Sequence, residues 1–171
     1  DLIPRKQWSH LIDAFATIQN KNSDCTLTII GEGASRSALE KQIEKLLLTD
    51  KVKLAGKKTK SEVAAHLQRV DLLIHTSKTE TFGLVILEAL ACGTPVISYN
   101  NGGVEEFRGL PGIQIIDEIN QDNLNKTINE FLQNKSSSPY SSDDISKACQ
   151  SKYGVDSVVA KLSDIYKELH Q

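Results

Sequence analysis

Two glutamates flank a Phe-Gly step in the stretch Thr76–Tyr99, TSKTETFGLVILEALACGTPVISY. Glu80 precedes Phe82 and Gly83, while Glu88 stands inside LVILEALA, where a carboxylate is costly to bury unless hydrogen-bonded. DLLIHTS reads as a strand, SKTET as a polar loop, and the following helix is predicted to start near Phe82 or Gly83. A helix start presents unpaired backbone N–H groups and the positive end of the helix dipole. Gly83 lets a ligand approach that backbone closely, so an anion such as a diphosphate fits there. Glu88 follows about five residues on, roughly 7–8 Å at the helical rise. A nucleotide with its diphosphate at the helix tip could then place its ribose hydroxyls at Glu88, since a carboxylate accepts two such hydrogen bonds. Glu80 would lie on the other side of the phosphates. The plainer alternatives are an exposed helix residue for Glu88 and a helix N-terminal charge for Glu80, and residue chemistry alone leaves both open.

Other candidates carry less. GEGASR, from Gly31 to Arg36, lies between a strand and a helix, but the dinucleotide fingerprint GxGxxG needs a third glycine where Arg36 stands. A tight turn requiring glycine torsions accounts for it as well as a phosphate loop does. The histidines His10, His66, His75 and His170 lack HxxxH or HExxH spacing and read as structural or exposed. His75 stands apart because it ends an apolar strand at its carboxyl edge, although a core or rim histidine is the default there. Cys25, Cys92 and Cys149 show no zinc-type spacing and read as free thiols in a reducing cytosol.

These residues need a frame, and the hydrophobic pattern supplies one. KQWSHLIDAFATIQN has helical spacing at Trp8, Leu11, Ile12, Phe15 and Ile18. CTLTIIG is a short strand, and a helix from about Ser35 places Leu39, Ile43, Leu46 and Leu47 on one face. KVKLAG is a strand, SEVAAHLQRV a helix aligning Val63, Leu67 and Val70, and GLVILEALACG the next helix after DLLIHTS. PVISY, the NGGVEEF turn and helix, and GIQII continue the alternation. Strands alternating with helices imply an α/β fold, a Rossmann-like parallel β-sheet flanked by helices, with ligands outside the carboxyl ends of the strands. Asn120 to Asn134 is predicted helical, KSSSPYSS is a break, and two further helices follow. The last carries a stripe of Val155, Val158, Val159, Leu162, Ile165, Tyr166 and Leu169, expected to be buried against this sheet or against a partner domain.

Length and composition set the outer bounds. The 171 residues make one domain (1–171) able to bury a core. At 39% hydrophobic and 25% charged the chain is globular, and a formal net charge of −2 gives nucleic acid no support as a partner. No apolar run reaches the length of a membrane span and no signal peptide is visible. The chain has no methionine and begins at Asp1 in mid-pattern, so it is expected to be a piece of a longer polypeptide.

GEGASRSALE, DLLIHTSKTETFGLVILEALACGTPVIS and NGGVEE, in that order, closely resemble the C-terminal domain of glycosyltransferase family 4, retaining enzymes of the two-domain GT-B fold. The resemblance runs from about Arg5 to Glu106, with a weaker echo in the closing helices. It implies that Glu88 binds the nucleotide ribose, that Glu80 stands at the donor sugar, and that the backbone of Phe82, Gly83 and Leu84 cradles the diphosphate. It further implies that Lys6 neutralises the phosphates, that Gly31 and Gly33 form a loop near the donor, and that Lys57 falls where backbone contacts hold the base. Glu80 and Lys6 are thus the expected catalytic residues. Gln7 departs from the glycine usual after that lysine. KQxxHLIDAF is nearer to bacterial enzymes that glycosylate teichoic acid or serine-rich adhesins. The arginine of the strand before Lys6 would lie upstream of Asp1. So would the N-terminal domain, which in this family supplies acceptor contacts and often a histidine near the reacting carbon.

The resemblance implies transfer of a hexosyl group with retention, from a nucleoside diphosphate sugar, UDP first by family frequency, with GDP and ADP open. No metal or other cofactor is expected, because no Asp-x-Asp pattern is present. The acceptor, a glycan, lipid, teichoic acid or protein, is not encoded in these residues, and the fragment should bind nucleotide but transfer sugar poorly or not at all. A cytoplasmic place is expected, peripheral at the inner membrane surface for the full-length enzyme. Two rivals stand beside this: a nucleotide-sugar epimerase half, and a non-catalytic GT-B partner subunit that kept the fold but lost the chemistry.

Overall fold

The computed structural model describes residues 1–169, with side chains to Lys167; His170 and the side chain of Leu169 lie outside the described residues. Five short parallel strands form two sheets. β1 (Leu27–Ile29) pairs with β2 (Val52–Leu54), with Leu27 opposite Val52. β3 (Leu73–His75), β4 (Val96–Tyr99) and β5 (Ile113–Ile116) form the other sheet in that order, with Leu73 opposite Val96 and Val96 opposite Ile113. All five ladder strands run parallel, so every strand opens its carboxyl end toward one edge of its sheet.

Helix α1 (Trp8–Gln19) joins the two halves. Its Ile12 and Phe15 pack with Ile29 and Val52, while Ala14 and Ile18 pack with Ile97, Tyr99 and Ile116. Helices α2 (Arg36–Lys45) and α5 (Gln121–Asn134) lie against α1. On the other side, α3 (Lys60–Leu67), α4 (Leu84–Ala91) and α6 (Ser142–Tyr153) pack together around Leu67, Ile86, Leu90, Phe107 and Ile145. Burying each large apolar side chain of this kind stabilises the fold by about 1.5–3 kcal/mol. Local signals agree with the packing. Thr59 and Glu62 make a capping box on α3, Ser141 and Asp144 another on α6, and Asn120 caps α5 by accepting from the Asn123 N–H.

Four expectations are corrected. Helix α2 stops at Lys45, so Leu47 leaves the shared face; it takes a left-handed φ of 57° and is 90% exposed. Helix α3 stops at Leu67, and Val70 is exposed beyond it. The NGGVEEF segment forms only a 3-10 turn, Glu105–Phe107, which anchors by burying Phe107. The closing helix α7 (Val155–Leu169) does not pack on the sheet. It rests on α6, and Val155, Val158, Val159, Leu162, Ile165 and Tyr166 are exposed.

Candidate functional site

The loop after β3 is built to hold a charge. Its first residues, Thr76 and Ser77, are buried. Thr76 Oγ1 donates to the Lys6 carbonyl at 2.8 Å, and the Lys78 N–H donates to the Arg5 carbonyl at 2.9 Å. These bonds tie the loop to the 3-10 turn Pro4–Lys6 and bring Lys6 Nζ to Glu80 Oε2 at 2.6 Å. From the far side, the backbone of Glu80 bridges Gly102, and Asn101 Nδ2 donates to the Ser77 carbonyl at 3.0 Å. Gly103 passes so close that a Cβ there would overlap the Glu80 carbonyl.

The Phe-Gly step turns this loop into a helix. The Phe82 ring packs edge-on against Phe107 at 5.1 Å and Tyr153 at 6.4 Å between centroids, so its side chain faces the core. Gly83 is the N-cap of α4 at φ 83° and ψ 50°, a conformation that a side chain would strain, and no side chain caps the helix. Among the described residues, the N–H groups of Phe82, Gly83 and Leu84 bond to no protein acceptor. The site therefore offers backbone donors and a helix N-terminus beside a lysine–glutamate pair.

Electrostatics follow from the same contacts. The hydrogen bond from Lys6 holds the Glu80 carboxyl below the usual glutamate range, against the opposing effect of burial. His75, 7% exposed, is pushed down to about 4, chiefly by burial and then by the charge of Lys6, with Glu80 opposing. It is therefore neutral at pH 7. Its Nδ1 lies 3.0 Å from Ser98 Oγ and its Nε2 3.5 Å from Glu80 Oε2.

The remaining expected site residues divide. The helical period of α4 buries Ile86, Ala89 and Leu90 and leaves Leu84, Glu88 and Ala91 outside. Glu88 is thus exposed one turn beyond Leu84, and among the described residues its carboxylate has no ion-pair or hydrogen-bond partner, while its carbonyl accepts from the Cys92 N–H. The apolar neighbours in sequence do not surround its carboxylate. Gly31 and Gly33 lie where the chain's first residues cross the end of β1: the Leu2 N–H donates to the Glu32 carbonyl, and a Cβ on Gly33 would overlap the Leu2 backbone. Their glycine requirement is met by that crossing alone. The Gly31 N–H donates to Gly56 O at 2.9 Å, placing exposed Lys57 beside the same edge. Gln7 takes a left-handed conformation at φ 55°, the backbone state for which glycine is best suited. His10 and His66 are exposed, and the three cysteines are free. Asn101 lies in the NNGG turn, Asn100 to Gly103, which the sequence offers as a segment able to touch the sugar, whereas Ser98 escapes the sequence, with His75 at its strand end the one signal near it.

With this geometry in place, the likeness to known proteins is informative. Residues 1–150 match the family described as "Glycosyl transferases group 1". An uncharacterized glycosyltransferase of Methanocaldococcus jannaschii is 28% identical over 169 residues, which cover 98% of this chain and 46% of that protein. The N-acetyl-alpha-D-glucosaminyl L-malate synthase of Bacillus anthracis is 36% identical over 101 residues, 59% of this chain and 26% of that protein. Among solved structures, Anabaena Alr3699/HepE in complex with UDP and glucose superposes with a TM-score of 0.81 at 24% identity, covering 98% of this chain and 46% of that one. The chain thus spans about half the length or less of these relatives. Its fold is that of one half of a GT-B glycosyltransferase. The chain belongs to the glycosyl transferases group 1 family.

Proposed function

We propose that this chain is the donor-binding domain of a retaining, family 4 hexosyltransferase that takes its sugar from a nucleoside diphosphate, UDP foremost. The carrying observation is the Lys6–Glu80 pair at 2.6 Å beside the uncapped start of α4, with Glu88 exposed further along the same helix. The diphosphate sits on the N–H groups of Phe82, Gly83 and Leu84, Glu88 takes the ribose hydroxyls, and Glu80 faces the donor sugar. Gly31, Gly33 and Lys57 line the adjoining edge. Departure of the diphosphate needs charge stabilisation at the leaving oxygens. The helix N-terminus and Lys6 supply it in fixed positions, with no metal in this scheme. The UDP bound in Alr3699/HepE supports UDP as the first carrier to test.

The partner completing the enzyme is an N-terminal GT-B domain, which supplies the acceptor contacts. The exposed stripe of α7 supports a second, covering body of protein. The chain by itself binds nucleotide and transfers sugar weakly or not at all. The acceptor classes kept open are glycan, lipid, teichoic acid and protein. No helix among the described residues is long and apolar enough to cross a membrane, which is compatible with a cytoplasmic enzyme peripheral to the inner membrane.

Calorimetric titration with UDP, GDP and ADP tests this reading. Saturable binding of UDP that Glu88→Ala weakens roughly 10- to 100-fold is expected, the worth of hydrogen bonds to a charged group. Absence of binding by all three would favour the non-catalytic subunit.

A further inference from the structure

His75 ends β3 behind Glu80, and its surroundings give the imidazole a job beyond filling the core. Ser98 Oγ lies 3.0 Å from His75 Nδ1 and 3.0 Å from the Tyr99 carbonyl. The serine has one proton, so it can serve either neighbour, and its choice sets the imidazole tautomer. If the proton goes to Tyr99, Nδ1 must carry the hydrogen and Nε2 presents a lone pair to Glu80. If the proton goes to Nδ1, Nε2 carries the hydrogen and presents it to Glu80. Nε2 stands 3.5 Å from Glu80 Oε2 and, among the described residues, bonds to nothing else, so the carboxylate decides between the two. A lone pair facing a carboxylate is repelled, whereas an N–H facing it is attracted.

We propose that His75 is a positioning residue for Glu80: the carboxylate selects the Nε2–H tautomer, a Ser98 hydroxyl donated to Nδ1 supports it, and Nε2–H restrains Oε2 so that Oε1 faces the donor sugar. This rests on the donor-site reading of Glu80. Lys6 is shared in the proposed site, because its three N–H donors serve more than the carboxylate. Its Nζ holds Glu80 Oε2 at 2.6 Å, yet the same ammonium is proposed to neutralise the diphosphate. When Lys6 turns toward phosphate oxygens, the His75 Nε2–H stays beside Oε2, next to the Thr81 backbone N–H that also stabilises this carboxylate. The 3.5 Å separation leaves room for that bond to shorten. Behind the histidine, β4 holds Ser98, fully buried and paired opposite His75 in the ladder, so the relay is braced by the sheet.

Two measurements on the chain test this. Two-bond 1H–15N spectra of 15N-histidine-labelled protein, assigned with His75→Asn, report the tautomer directly. The wild type should show a pyrrole-type Nε2 and a pyridine-type Nδ1 at pH 7. Both Ser98→Ala and Glu80→Ala should raise the Nδ1–H population. A wild-type Nδ1–H tautomer, or His75 resonances unmoved by Glu80→Ala, would overturn the proposal. The second measurement compares UDP with UDP-glucose binding in His75→Gln and His75→Asn. The glutamine amide can reach the Nε2 position and the asparagine amide only the Nδ1 position. His75→Gln should keep UDP-glucose affinity within about threefold of wild type, and His75→Asn should lose about tenfold, the worth of one charge-assisted hydrogen bond. Both should bind UDP alone like the wild type. Equal UDP-glucose affinity in the two variants would sink the positioning role, since a merely structural histidine has no reason to prefer glutamine. If the wild type binds neither ligand, the donor-site reading fails, and with it the orientation toward a sugar. The spectra then still decide whether His75 restrains Glu80.

Discussion

Glu80 and Glu88 stand on one short stretch of chain, yet the protein treats them in opposite ways. Glu80 is half-buried, ion-paired to Lys6, backed by His75 and fixed through its backbone by Gly102 and Gly103. Glu88 projects from the outer face of α4 into solvent, its carboxylate without a partner among the described residues. The first carboxylate is pre-organised before any ligand arrives, which is where catalysis gains from fixed charge. The second keeps its hydration, and in the proposed donor site its worth would lie in affinity alone. Substitutions near Glu80 should therefore register in folding, and substitutions at Glu88 only in binding.

The largest expected effect lies on the pre-organised side. His75 titrates at about 4 in the folded chain against an ordinary value of 6.5. As pH falls, the unfolded state takes up the proton first, so stability is full above about 6.5 and is lost down to about 4. The loss amounts to about 3 kcal/mol, read from urea unfolding across that range, and His75→Gln should abolish it. Glu80 adds a smaller slope of the same sign at lower pH, because its carboxyl is held below the usual range by Lys6 and stabilisation is lost as it protonates.

Next comes the backbone behind Glu80. Gly103→Ala would force its Cβ against the Glu80 and Thr81 backbone, which cannot swing aside as a flexible side chain could. A loss of about 2 kcal/mol is expected from thermal or urea unfolding, with UDP-glucose binding weakened more than UDP binding. Glu88→Ala probes the other carboxylate. Its unfolding free energy should stay within about 0.5 kcal/mol of wild type, while UDP affinity falls by the factor given above. A comparable loss of stability in this variant would break the distinction between the two carboxylates. The smallest effect belongs to α7: Leu162→Lys should change the stability of this chain by less than about 0.5 kcal/mol. In a longer protein carrying an N-terminal GT-B domain, the same change should lower the Tm.

The alternation of strands and helices was legible because buried parallel strands and amphipathic helices leave different periods in sequence. Helix α1 followed its pattern residue by residue, since Leu11, Ile12, Phe15 and Ile18 all face the core. Leu47 and Val70 did not, because a helix end is set by backbone geometry and a hydrophobic residue just past it looks like a continuation. The helix start at the Phe-Gly step was legible, because a glycine just ahead of an apolar run marks an N-terminus. The Glu80–Lys6 pair was less so, because its partners are brought together by Thr76 and Lys78 bonds to a distant turn. The contact of Ser98 with His75 was invisible from sequence, since only the β3–β4 register places the two opposite each other. The α7 stripe shows the remaining gap: apolar residues at helical spacing declare a face to be covered but not by what.

If α4 and its preceding loop form a donor clamp, a crystal structure of the chain with UDP will show it. Phosphate oxygens are expected within hydrogen-bonding distance of the Phe82, Gly83 and Leu84 N–H groups, with Lys6 turned toward them and both ribose hydroxyls on Glu88. Phosphates bound elsewhere on the molecule, with Glu88 still facing solvent, would contradict the clamp.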